Sequence, residues 1–109
     1  MTQEPYRHPL IDDVTLPEVM HALSDPVRLA IMQAVAADHE TAWSSFGVSV
    51  APSTLSHHMK VLRNAGLIAN RREGTRCIVS LRPDLAERFP GLLETVLKLA
   101  SRTDPQGQP

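Results

Sequence analysis

Five side chains able to hydrogen-bond recur at helical spacing within Pro52–Gly66: Ser53, Ser56, His57, Lys60 and Asn64. At about 3.6 residues per turn they share one face of a helix, while Leu55, Met59 and Leu62 share another. The polar face carries small hydroxyls, an imidazole and an ammonium, and no carboxylate. Solvated helix faces ordinarily mix both signs of charge. A face of donors with a positive charge and no acid suits a surface that approaches phosphates and base edges.

Other chemistries fit these residues less well. Ser56 and His57 are adjacent but have no orienting acid nearby and sit on an exposed helix face, so they do not make a nucleophile and base. Gly74 and Gly91 stand alone, so there is no glycine-rich phosphate loop, and the neighbouring Asp12 and Asp13 point apart. No catalytic residue is assigned, the chain is not read as an enzyme, and no cofactor is expected. Zinc and soft-metal sites need thiolates or imidazoles in groups of three or four. His8, His21 and His39 are scattered, and His57 and His58 project about 100° apart on one helix. No metal site is assigned. His58 falls toward the Leu55/Met59 side and reads as a packed, hydrogen-bonded histidine. Cys77, the single thiol, reads as a small buried hydrophobe on a strand. The alternative is a redox or electrophile sensor whose thiolate Arg72 and Arg76 would favour.

Charge distribution supports the binding reading. The net charge is −1, but residues 51–82 hold Lys60, Arg63, Arg71, Arg72, Arg76 and Arg82 against Glu73 alone, which is +5 and leaves −6 for the rest. A local basic patch is the electrostatic footprint of a nucleic-acid partner. With 109 residues and 42% hydrophobic content the chain makes one small domain. One cysteine excludes a disulfide framework. No secretory signal and no apolar run of about 18–20 residues is present, so a cytoplasmic protein is expected.

The elements that must position these residues follow in order. Residues 1–13 are expected to be a flexible N-terminal arm, with Ile11 as its anchor. Thr15-Leu16-Pro17-Glu18 reads as a capping box, with the Glu18 carboxylate reaching back to the Thr15 N–H. Leu16, Val19, Met20 and Leu23 give the first helix its apolar side. Asp25 caps and Pro26 starts a second helix running to about Ala37, its wide apolar face made by Val27, Ala30, Ile31, Ala34 and Val35, with Leu29 and Met32 adding apolar groups beyond it, so it is expected to be central and nearly buried. Arg28 either pairs with an acid or reaches a phosphate; the structural role is favoured. Residues 38–41 read as a polar connection, Ala42–Phe46 as a short helix stopped by Gly47, and Val48–Ala51 as a turn. A short helix, a turn and the longer helix from Pro52 make a helix-turn-helix. Leu67–Glu73 and Arg76–Leu81 then form a β-hairpin around Gly74, with Arg71, Arg72 and Arg76 near its tip. This hairpin reads as a wing that grips backbone phosphates or a minor groove. From Arg82 to about residue 102 the pattern is helical again, broken at Pro90-Gly91. Its apolar stripe exceeds what one small core requires, which suggests a dimer interface, alone or with the first helix. Residues 103–109 are expected to be a disordered tail.

Three of these stretches resemble one family. ALSDPVRL at residues 22–29, STLSHHMKVLRNAGLI at 53–68 and RREGTR at 71–76 resemble, in order and spacing, the motifs of ArsR-type winged-helix repressors. The resemblance spans about residues 14–100. It implies a mainly α fold with a small β-hairpin, a winged helix-turn-helix whose terminal helices form the dimer interface. It implies a homodimeric repressor on a pseudo-palindromic double-stranded DNA operator, released by a signal. By matching positions, Ser56 and His57 contact base edges, Ser53 and Thr54 lie near bases or phosphates, and Lys60 meets phosphate. Arg63 is grouped with the DNA-binding residues, and Arg71, Arg72 and Arg76 match the wing. The family's usual metal-ligand motifs are missing: the stretch TAWSSFG at 41–47 has no thiol, and residues 91–101 contain no His, Cys or Asp. The expected signal is therefore not a typical metal ion, and the effector is not legible. The rival of a different class is a winged-helix module that binds protein, which an acidic recognition face would favour.

Overall fold

The computed structural model describes residues 7–38, 40–42 and 50–102. Ile11–Asp13 forms one 3-10 turn, followed by α1 (Leu16–Ala22), α2 (Pro26–Asp38), β1 (Glu40–Ala42), α3 (Pro52–Asn64), β2 (Ile68–Glu73), β3 (Arg76–Leu81), α4 (Leu85–Arg88) and α5 (Leu92–Arg102). The strands make one antiparallel sheet in the order β1-β3-β2. Among the described residues no helix is long and apolar enough to cross a membrane.

The starts of α1 and α2 follow from short polar side chains. The Thr15 hydroxyl accepts from the Glu18 N–H at 3.4 Å. The return bond of the expected box differs: the Glu18 carboxylate accepts from the Thr15 hydroxyl at 3.0 Å, not from its backbone N–H. Asp25 Oδ1 accepts from the N–H groups of Val27 at 2.8 Å and Arg28 at 3.1 Å, satisfying two orphan donors of α2. Helix α3 closes with a Schellman turn. Gly66 N–H reaches Arg63 O at 3.0 Å, Leu67 N–H reaches Leu62 O at 3.1 Å, and Gly66 sits at φ 87°. A Cβ there would overlap a methyl of Val14, so the glycine serves both the backbone and the packing.

The core joins Val14, Val19, Ala22 and Leu23 to Ile31, Met32 and Val35 of α2, Met59, Leu62 and Ala65 around α3, and Leu67, Ile68, Val79 and Leu85. On α2 the buried side is Arg28, Ile31, Met32 and Val35, a rotation from the expected face: Ala30 is exposed and Met32 is fully buried. The larger side chain goes inside because it removes more apolar area from water. The stripe of α1 splits in the same way. Val19 and Leu23 are buried, whereas Leu16 and Met20 face outward.

Three readings change in detail. Ala42 belongs to β1, paired with Ile78, and Glu40 and Thr41 extend the same strand, so this part of the connection is sheet and not loop or helix. Residues 43–49, including the rest of the expected short helix, lie outside the described residues, as do residues 1–6 and the expected tail. Residues 7–13, expected as part of the arm, and Val14 just after it make specific contacts. His8 Nε2 accepts from the Asn70 N–H at 3.0 Å, Pro9 O accepts from Arg82 at 2.6 Å, and Val14 O accepts from Arg88 at 2.9 and 3.1 Å. Helix α5 is held to α2 by Gln33, whose amide donates to Leu97 O at 3.3 Å and to Ser101 Oγ at 3.0 Å.

Candidate nucleic-acid interface

Helix α3 buries one side and shows the other. Met59 and Leu62 are fully buried, and Leu55 is half-buried. Pro52 occupies the first turn, where its missing N–H costs nothing. Ser53, Thr54, Ser56, His57 and Lys60 are all exposed. The face read from spacing is thus open along α3, with the hydroxyls of Ser53 and Thr54 at its start and Lys60 farther along.

The two adjacent histidines separate. His57 is exposed, and His58 is only 8% exposed. His58 Nδ1 lies 3.1 Å from Arg28 Nη1. A guanidinium can only donate, so Nδ1 accepts and the ring proton sits on Nε2. Arg28 is itself buried. Its Nε donates to Ala22 O at 2.6 Å and its Nη2 to His21 O at 3.3 Å. One arginine therefore caps the last carbonyls of α1, belongs to α2 and anchors α3. The role is structural: the guanidinium meets two carbonyls and an imidazole, and among the described residues it makes no ion pair. Burial pushes the neighbouring Asp25 carboxyl up, but its two backbone N–H donors together with nearby positive charge outweigh that and leave it below its ordinary value.

Arg63, grouped by sequence with the DNA-binding residues, is half-buried. Its Nη1 donates to Asn70 Oδ1 at 3.1 Å, against the sheet and away from the exposed face. The acid-free side of α3 continues past Lys60 through exposed Asn64, and not through Arg63. Asn70 is a buried polar residue that sequence reasoning missed. Its signal is weak: one amide in a strand whose neighbouring inward position is apolar.

The hairpin forms with Glu73 opposite Arg76 and Gly74 at φ 63° in the turn. Arg72 and Arg76 are exposed at the tip and carry no ion pair among the described residues. Arg71 is different: it is ion-paired with Glu40 at 3.0 Å and Glu73 at 2.7 Å. Glu40 enters this region because β1 pairs with β3, which nothing in the sequence spacing shows. Arg71's hydrogen bonds and charge hold the Glu40 carboxyl below its ordinary range. The hydrogen bonds of Glu40 and Glu73 in turn raise the affinity of Arg71 for its proton. Cys77 lies directly across from Arg72 and is half-buried, on the same side of the sheet as Val79 and Leu81. Among the described residues no group of three His, Cys, Asp or Glu side chains is placed to hold a metal ion.

Residues 25–70 match the family model described as bacterial regulatory protein, arsR family. The chain is 37% identical over 89 residues to YceK of Bacillus subtilis (strain 168), an uncharacterized HTH-type transcriptional regulator. That match covers 78% of this chain and 89% of that protein. Among solved structures, Rv0081 of M. tuberculosis shares 31% identity with a TM-score of 0.62, covering 79% of this chain and 85% of that one. Reduced HlyU from Vibrio cholerae N16961 has a TM-score of 0.64 at 22% identity, covering 83% and 88%, and speaks for the fold alone. The fold is a mostly helical winged helix-turn-helix with a small three-stranded antiparallel sheet.

Proposed function

The chain belongs to the ArsR family of bacterial regulatory proteins, and on that premise we propose that it is a homodimeric repressor. It occupies a pseudo-palindromic operator and leaves it in response to a signal other than a typical metal ion. The observation that carries this reading is the division of α3. One side is packed into the core through Met59, Leu62 and His58, and the other offers Ser53, Thr54, Ser56, His57 and Lys60 to solvent without an acid. In a helix-turn-helix the second helix enters the major groove. There Ser56 and His57 read base edges, Ser53 and Thr54 lie at bases or phosphates, and Lys60 holds phosphate. The wing follows directly, with Arg72 and Arg76 exposed beside the backbone.

The dimer reading rests on apolar surface the single chain leaves open. Leu16 is 46%, Met20 51% and Leu99 53% exposed. They lie on α1 and α5, the helices expected to pair across a two-fold axis. Two copies place two recognition helices in successive major grooves and so require a symmetric site. A small dimer over a promoter represses by occupying it.

The test is the salt dependence of binding by the full chain to a fluorescent random-sequence duplex. Lys60→Ala is expected to weaken all sequences alike and to flatten the slope of log K against log salt by about 0.9 for each phosphate it no longer neutralises. Wild-type affinity for that variant at every salt concentration would contradict the assignment of α3.

A further inference from the structure

Arg71 differs from the other wing arginines because both edges of its guanidinium are occupied. Nη1 and Nη2 donate to the two oxygens of Glu40 at 3.0 and 3.1 Å. Nε and Nη2 donate to Glu73 Oε2 at 3.1 and 2.7 Å. These bonds take four of the about five N–H donors an arginine has. Arginine recognises phosphate best through a two-pronged edge, and here neither edge is open.

The sheet topology makes this arrangement. Glu40 is on β1 and Arg71 on β2, with β3 between them. Glu40 stands opposite Ser80, Arg71 opposite Ile78 and Glu73 opposite Arg76, so these residues share one side of the sheet. The guanidinium spans the central strand and ties both edge strands together. Ile78, beneath this side, is only 4% exposed. Alternation sends Arg72 to the opposite side. Arg76, opposite Glu73, is on the same side as Glu40, Arg71 and Glu73, so two positive charges meet two negative ones there; Arg71 is consumed by the two acids, and Arg76 at the tip carries no ion pair among the described residues.

We propose that Glu40 and Glu73 hold Arg71 away from DNA, so that Arg72 and Arg76 meet phosphate and the two acids limit how tightly the wing grips. The proposal rests on the DNA-binding reading above and adds a restraint to it. Exposed ion pairs are individually weak, so the restraint lowers affinity without abolishing it. An arginine freed from both acids would gain a phosphate contact.

The experiment compares salt slopes on the same random-sequence duplex for the full chain and four variants. These are Arg71→Gln, Glu40→Gln with Glu73→Gln, the triple combination of those changes, and Arg72→Gln. Glutamine keeps an aliphatic stem over Ile78, and a thermal melt by circular dichroism checks that each variant is folded. Arg71→Gln is expected to keep the wild-type slope. The double glutamine variant is expected to bind roughly three- to tenfold tighter, with a slope steeper by about 0.9 for each wing engaged. The triple variant is expected to return to the wild-type slope, and Arg72→Gln to flatten it. The proposal is overturned if Arg71→Gln flattens the slope as Arg72→Gln does. It is also overturned if the steeper slope of the double variant survives in the triple, because the gain would then owe nothing to Arg71. If neither Arg72→Gln nor Lys60→Ala changes the slope, the DNA interface itself is misplaced, and the proposal falls with it.

Discussion

His57 and His58 are neighbours in sequence and belong to different parts of the molecule. A helix turns by about 100° per residue, so adjacent side chains cannot share an environment. His58 gives Arg28 an acceptor inside the core, and Arg28 spends its other donors on the carbonyls of His21 and Ala22. His58→Phe removes that acceptor and leaves a buried donor unpaired. We expect a loss of roughly 1–3 kcal/mol in urea unfolding. His57→Ala should leave the urea midpoint nearly unchanged, because the ring is exposed. Equal destabilisation by the two changes would contradict the division. Asp25 supplies a second prediction at this scale. Its carboxyl lies below the ordinary value of 3.8 in the folded chain. Its extra stabilisation is therefore present above that ordinary value and fades as pH falls through the folded one. Asp25→Asn keeps a capping oxygen but does not titrate. Its stability deficit, read from urea unfolding between about pH 6 and about pH 3, should shrink toward the acid end.

At the scale of elements, the junction of α3 with β2 is the most constrained. Gly66 carries φ 87°, ends the helix and lies against Val14, so its turn sets the direction in which the wing leaves the recognition helix. Gly66→Ala brings backbone strain and an overlap with Val14 together. A cost of roughly 1–3 kcal/mol is expected, read as a lower thermal midpoint; an unchanged midpoint would show that the turn is not constrained. Elements of this kind were legible because their causes are local. Thr15, Asp25-Pro26 and Pro52 mark helix starts, Gly66 marks a stop, and Leu55, Met59 and Leu62 mark an inner face. β1 was not legible: three residues are too few for an alternating pattern, and its partner β3 lies far along the chain. The same distance hid the pairing of Glu40 with Arg71. The hidden sides of Arg63 and Asn70 follow from how α3 packs on β2, which periodicity within α3 does not report.

For the whole molecule, charge and apolar surface point to two different partners. The acidic chain keeps an acid-free face on α3 and, among the described residues, two arginines without an ion pair at the wing tip, while the carboxylates nearest the wing are spent on Arg71. The exposed Leu16, Met20 and Leu99 lie on α1 and α5, which we assign to a second copy of the chain. DNA on one surface and a two-fold partner on another together require a symmetric site. The most direct measurement selects bound sequences from a random duplex pool with the full chain, for wild type and His57→Ala. A pseudo-palindrome with half-sites about one helical turn apart, or a multiple of it, is expected. His57→Ala should relax base preference at matching positions in both halves, at about 1–3 kcal/mol per position. An asymmetric single site, or an undiminished preference in His57→Ala, would contradict it.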